Sequence, residues 1–191
     1  PSKTHLMGTD NLGRDILTRI IYGARISIII GFGASLGATL LSLIIGVISG
    51  YAGGKIDLMI QRLVDAWMCF PGLILLLVLM SVFGIGILQI IIVLSLRWGF
   101  SGSRIIRGAV ISLKENFYIQ ASVSVGCSSS RIILKHIIPN LMAPTIILFT
   151  TRVPDIIMTE AALSFLGFGI PPPDPTWGGM LSGSARQYMV R

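Results

Sequence analysis

Three charged side chains interrupt an otherwise apolar stretch and are the first candidates for chemistry in this sequence. Arg152, Asp155 and Glu160 stand within "LMAPTIILFTTRVPDIIMTEAALSFLGFGI". Charges inside such a span face a bundle interior or water and seek partners. Arg152 and Asp155 are three apart and can pair on a helix, and with Glu160 they could serve as an intramembrane relay. The rest of the chain offers little chemistry. Cys69 and Cys127 form no CxxC, and His5 and His136 lie far apart, so no metal site is visible. No Ser/His/Asp order, HExxH or paired carboxylates stand out, so no catalytic residue and no cofactor is assigned. "GGKI" at 53–56 lacks the spacing and the hydroxyl of a phosphate-binding loop, and the chain is not expected to bind ATP.

A second kind of candidate is the segment "YIQASVSVGCSSSRIILKHIIPN", residues 118–140. Ala121, Ser122, Ser124, Gly126 and Ser128 would make a slim helix able to enter a groove on a partner. Gly126 allows a sharp change of direction. Arg131, Lys135 and His136 can cap carbonyls or meet acidic groups, and Pro139 stops the segment. A solvated surface helix without a partner would carry the same residues. Asp65, three residues after Arg62, either pairs structurally near a helix start or lines the inner mouth of a pathway. Glu160 is read both as a functional charge and as a structural bridge.

The elements that position these residues are apolar. Hydrophobic residues make up 53% of the chain and charged ones 12%, with a mean hydropathy of +0.83. Soluble domains carry about a quarter charged residues, so the setting is a bilayer, with lipid as a partner. The net charge of +7 is not gathered on one aromatic-rich face, so nucleic acid is not a partner. A first span covers "ISIIIGFGASLGATLLSLIIGVIS", where Gly33 and Gly37 are suited to close helix packing. A second helix is expected over 63–82, bent at Pro71, and a third over 87–103 after the turn "FGIG". The last apolar stretch reads as one broken helix, giving about four spans. Lys and Arg are in excess from Arg97 to Lys135, which places that loop in the cytoplasm. By alternation Lys55 is also inside, while the N-terminal arm, the "FGIG" turn and the proline-rich "IPPPDPTWGGML" lie outside. The arm fits this awkwardly, since Lys3, Arg14, Arg19 and Arg25 outnumber Asp10 and Asp15. Trp177 is expected to anchor at the membrane interface or to touch an external binding protein.

Gln120-Ala121-Ser122, three residues, Gly126, nine residues, then His136-Ile137-Ile138-Pro139 resembles the cytoplasmic "EAA" loop of permease subunits in ATP-binding-cassette importers. Gln120 stands where that pattern has glutamate, Ser122 where it has alanine, and Ile138 where it has leucine. "GTDNLGRDILTRIIYGARIS", "VISGYAGGKIDLMIQRLVDAWMCFPGL" and "AALSFLGFGIPPPDPTWGGML" resemble the dipeptide/oligopeptide/nickel branch, more narrowly its second permease. The resemblance implies an all-α, polytopic transmembrane helix bundle of the type I importer permease kind. Residues 1–191 would form one permease domain lacking the family's first and last helices, with a cytoplasmic coupling loop at about 104–140. It implies no enzyme activity in this chain, a bacterial or archaeal inner-membrane location, and a pathway for peptides or a related small solute. The implied partners are ABC ATPase subunits, a second homologous permease and an extracytoplasmic solute-binding protein. ATPase coupling would fall to Gln120, Ala121, Ser122, Gly126, Arg131, His136 and Pro139, with Asp65 and Glu160 on the pathway. The competing readings are an ion-coupled secondary transporter using Arg152, Asp155 and Glu160, and a membrane scaffold.

Overall fold

A computed structural model describes residues 1–2 and 5–189, the last six of these as backbone only. Lys3 therefore lies outside the described residues. The described chain is helical throughout, with an isolated bridge from Thr9 to Asp15 and no strand. The helices are α1 (Ile16–Ala52), α2 (Gly54–Cys69), α3 (Gly72–Phe83), α4 (Ile87–Lys114), α5 (Phe117–Ser124), α6 (Ser129–Ile132), α7 (Ile138–Asn140), α8 (Met142–Phe165) and α9 (Trp177–Met189). A π-turn over Ile133–Ile137 joins α6 to α7.

Helix α1 is longer than its uncharged run. Arg19 and Arg25 end the apolar pattern but break no backbone hydrogen bond, so the helix starts at its cap. Asp15 accepts from the Thr18 N–H at 2.8 Å and from the Thr18 hydroxyl at 2.7 Å. These bonds, and one from His5, hold the Asp15 carboxyl below the usual carboxylate range. At the far end Gly53 and Gly54 both take positive φ, 64° and 54°, a turn that suits residues without a Cβ. In the arm, Asp10 meets Arg14 at 2.7 Å and Arg19 at 3.7 Å. The arm's basic excess is thus partly neutralised on the spot.

The helix expected over 63–82 is instead two. α2 and α3 meet at 93°, because a residue before proline is pushed out of the helical region. Phe70 is extended at ψ 134° and Pro71 becomes the N-cap of α3. α4 runs past 103 to Lys114, since Arg104 and Arg107 find carboxylates on α2 and need not leave the helix. α8 is continuous where a break was expected. Pro154 sits inside it at the cost of one backbone bond, and Arg152 pairs with Asp155 at 3.6 Å. Among the described residues, one helix, α1, is long and apolar enough to cross a membrane alone, and up to three spans result if each bent helix pair counts as one. That is fewer than the four expected, because α4 carries Gln89, Arg97, Arg104 and Arg107.

α1 and α4 run parallel in close contact. Gly33 faces Ile91, Gly37 faces Ser95, Gly46 faces Ser103 and Ile106, and Gly50 faces Arg107 and Val110. The Ser42 hydroxyl donates to the Gly99 carbonyl at 2.8 Å, and Ser95 donates to the Ala34 carbonyl at 3.2 Å. α8 runs antiparallel to α1, with Ile157 against Gly31 and the Ser35 hydroxyl donating to the Phe149 carbonyl at 2.7 Å. Two apolar cores result. One gathers Ile30, Met80, Ile90, Leu94 and Ile156; the other gathers Val47, Ile106, Ile119, Ile132 and Ile137. Lys55 and the 115–140 segment lie at the second end, while the arm, the "FGIG" turn and the proline-rich segment share the first. A cavity of about 330 Å³ at the first end is lined by Arg19, Ile85, Gly167, Asp174 and Thr176.

A Cβ on Gly46 would lie 2.7 Å from the Ser103 carbonyl oxygen, and one on Gly108 would meet nothing within 4 Å. Gly46→Ala is expected to destabilise the protein in detergent by about 1–3 kcal/mol through overpacking. Gly108→Ala is expected to be neutral or to stabilise by up to about 1 kcal/mol. Thermal unfolding of the two variants side by side checks this.

Candidate functional site

The polar segment at the second end is built on three apolar anchors. Ile119 of α5, Ile132 of α6 and Ile137 of the π-turn are buried together with Ile106 and Val110 of α4, Val47 of α1 and Leu148 of α8. One residue of each element is thereby fixed to the bundle, and most of the remainder of α5 faces outward. Gln120, Ala121, Val123 and Ser124 are exposed and Ser122 is half-buried. Phe117 and Val125, at 89% and 84% exposure, bracket the helix with bare apolar surface.

The segment is held by its own polar bonds. The Gln120 side-chain amide donates to the Glu115 carbonyl at 3.1 Å, closing the turn between α4 and α5. The hydroxyls of Ser122 and Ser124 donate back to the carbonyls of Tyr118 and Gln120. Gly126 takes φ 81° with nothing within 4 Å of the position a Cβ would fill, so glycine serves here for backbone angle and not for space. The His136 ring lies 6.3 Å from that of Tyr118, and its carbonyl accepts from the Asn140 side chain at 2.6 Å. Arg131 and Pro139 are exposed. All seven residues singled out for coupling therefore fall at one end of the bundle, along α5–α7. A cavity of about 410 Å³ lies between α5 and the end of α1, lined by Tyr51, Lys114, Ile119, Gln120, Val123 and Ser124.

Asp65 and Glu160 are elsewhere. Asp65 is bonded by Arg104 of α4 and lies 3.9 Å from Arg62, which is the structural pairing of the two readings. Glu160 is fully buried near the first end and accepts from the Ser164 hydroxyl at 2.8 Å. Among the described residues it makes no direct bond to Arg152 or Asp155. Trp177 is exposed on one side, at 40%, and bonded on the other. Its backbone N–H donates to the Ser27 hydroxyl at 3.2 Å and its indole N–H to the Ile20 carbonyl at 3.1 Å, fastening α9 to α1.

Sequence reasoning passed over the strongest polar cluster at the second end. Asp57 of α2 accepts from Arg107 Nε at 2.7 Å and from its terminal nitrogen at 2.5 Å, a bidentate pair. The Ser49 hydroxyl also donates to Asp57 and accepts from Gln61 at 2.9 Å. Beside it Lys114 donates to the Tyr51 carbonyl at 2.7 Å, satisfying an end of α1 that lacks its own basic residue. Asp57 and Arg107 are fifty residues apart, and no local pattern joins them.

The fold is that of a helical membrane permease. The solved structure of the methionine ABC transporter MetNI in an inward-facing conformation is similar at a TM-score of 0.71 and 18% identity, over 81% of this chain and 77% of that one. The chain belongs to the family of binding-protein-dependent transport system inner membrane components, which matches residues 42–190. It is 43% identical to the oligopeptide transport system permease OppC of Bacillus subtilis, over 95% of this chain and 60% of that protein. It is 41% identical to the dipeptide permease DppC of Alkalihalophilus pseudofirmus, over 99% and 62%. It is 35% identical to the glutathione permease GsiD of Pectobacterium atrosepticum, over its full length and 63% of that protein. The chain thus spans about three fifths of the length of the curated relatives it matches.

The bidentate pair ties α2 to α4 in a partly buried setting. Asp57→Ala and Arg107→Ala are each expected to destabilise, with the double variant less damaging than the sum by about 1–2 kcal/mol. A double-mutant cycle in mixed-micelle denaturation measures this.

Proposed function

We propose that this chain is the permease subunit of an ATP-driven importer of peptides or a related small solute, and that α5 is its coupling helix. The observation that carries the reading is α5 itself. It is a short helix of small and polar residues, exposed along its outer face and anchored to both α1 and α4 through Ile119. A partner that grips α5 would move the packed bundle and not a loose loop, because close-packed cores transmit displacement.

In this reading two ATPase subunits dock on the coupling segments of this chain and of a second, homologous permease. Phe117, Val123 and Val125 supply apolar contact, Ala121 and Ser122 allow close approach, and Arg131 meets acidic groups on the ATPase. Gln120 keeps the hydrogen bond that closes the α4–α5 turn but brings no charge. ATP binding closes the ATPases, the coupling helices follow, and the bundles tilt between inward-open and outward-open states. An extracytoplasmic binding protein delivers the solute at the opposite end. Residues 1–191 act as one permease domain of an inner-membrane protein, with hydrolysis in the partner. The exposed apolar row on α1 (Ile28, Phe32, Leu36, Leu40, Ile44 and Ile48) faces lipid or the second permease.

A single cysteine at Ser122, in a background with Cys69 and Cys127 replaced, is expected to crosslink to a coexpressed ATPase subunit with a yield that changes on adding ATP. Absence of any crosslink, with the full-length chain inserted and the ATPase present, would overturn the coupling role.

A further inference from the structure

Two arginines and a tryptophan meet halfway along the bundle, far from α5. Arg97 and Trp98 are neighbours on α4, and Arg152 reaches across from α8. The guanidinium carbon of Arg152 is 4.4 Å from the Trp98 ring centroid and that of Arg97 is 5.4 Å from it. The two cations thus lie within about 10 Å of each other, one Debye length in dilute salt. Their depth follows from the parallel pairing of α1 and α4. Ser95 is level with Gly37 and Gly99 with Leu41, so Arg97 sits level with the middle of the uncharged run between Arg25 and Lys55.

The cluster is short of negative charge. Asp155, 3.6 Å from Arg152, is its one carboxylate among the described residues, and none of those residues' carboxylates forms an ion pair with Arg97. The Nε of Arg152 and the indole Nε1 of Trp98 are both buried without an acceptor. The two groups of the cluster buried without a partner are thus both donors. Arg97 lies against the start of α3, in the space a Cβ on Gly72 would take, 2.7 Å from its terminal nitrogen. Arg152 is mostly covered, at 17% exposure, whereas Asp155 is half-exposed at 51%, so the cluster opens onto a face this chain does not cover. Hydrocarbon solvates charges poorly, and such a face belongs to water or to protein.

We propose that Arg97 and Arg152 form a transit site for a carboxylate carried by the solute, namely the C-terminal carboxylate of a peptide. The proposal rests on the importer reading above. A carboxylate entering between the two guanidiniums gains charge-assisted bonds from both. Asp155 is the resting counter-ion it displaces, and competition with Asp155 keeps the site weak enough to release its guest. Trp98 lies against both guanidiniums and helps position them.

The test uses the full-length permease reconstituted in proteoliposomes with its second permease, ATPases and binding protein. ATP-dependent uptake of radiolabelled trialanine is compared with that of its C-terminal amide, each supplied as saturating loaded binding protein. Arg97→Gln and the paired variant Arg152→Gln/Asp155→Asn are each expected to lower the acid-to-amide uptake ratio about tenfold, the scale of one charge-assisted bond. ATP hydrolysis stimulated by loaded binding protein, and the yield of assembled complex, are expected to stay as in the parent. An unchanged ratio, or equal loss for both peptides, overturns the transit site in favour of a packing role. Loss of the second permease from the purified complex also overturns it, pointing to an acid on that subunit as the counter-charge. A parent complex that takes up neither peptide with ATP overturns the peptide-import reading on which the site rests, before any variant is made.

Discussion

The parallel contact between α1 and α4 is the constraint on which the rest depends. Two parallel helices cannot be joined by a tight turn, so the chain must travel back along the bundle between them. α2 and α3 make that return, and their right-angle corner at Phe70–Pro71 is where it turns. The contact is close because Gly46 and Gly50 on α1 leave room for the α4 backbone. In a membrane such proximity comes from van der Waals packing and interhelical hydrogen bonds, since lipid is as apolar as leucine. The hydroxyls of Ser42 and Ser95, each aimed at a carbonyl of the facing helix, add the polar part.

Around that pair the polar residues divide by position. At the α5 end they are mutually satisfied. Asp57, Arg107, Ser49 and Gln61 bond to one another, and Lys114 closes the end of α1. This rigid end carries α5 on Ile119, and a force applied to α5 reaches α1, α2 and α4 together. At mid-depth the balance differs, because Arg97, Arg152 and Trp98 hold more donors than Asp155 can satisfy. A satisfied network suits a lever, and an unsatisfied one suits a place where something passes.

That residues 118–140 gather as short helices at one end of the bundle was legible because they are close in sequence. A slim run ending in glycine and then proline is a local pattern, and Gly126 with φ 81° sits where a reversal was expected. The pairing of Arg152 with Asp155 was legible for the same reason, three residues apart on one helix. The Asp57–Arg107 pair and the Arg97–Trp98–Arg152 cluster were not, because each joins helices that chain distance does not relate. Helix ends were misjudged where hydropathy stood in for capping. Arg25 and Arg104 end an apolar run, yet neither ends a helix.

The sequence alone determined a membrane setting, an all-helical chain and the family pattern of residues 118–140. These follow from composition, charge and short-range spacing. Only the tertiary structure decided that α1 and α4 lie parallel at glycine distance, that Pro71 separates two helices, that Trp177 fastens α9 to α1, and that two arginines share one tryptophan. Those outcomes depend on which surfaces fit at close range, and fit is a property of two elements together that neither segment carries in its own residues.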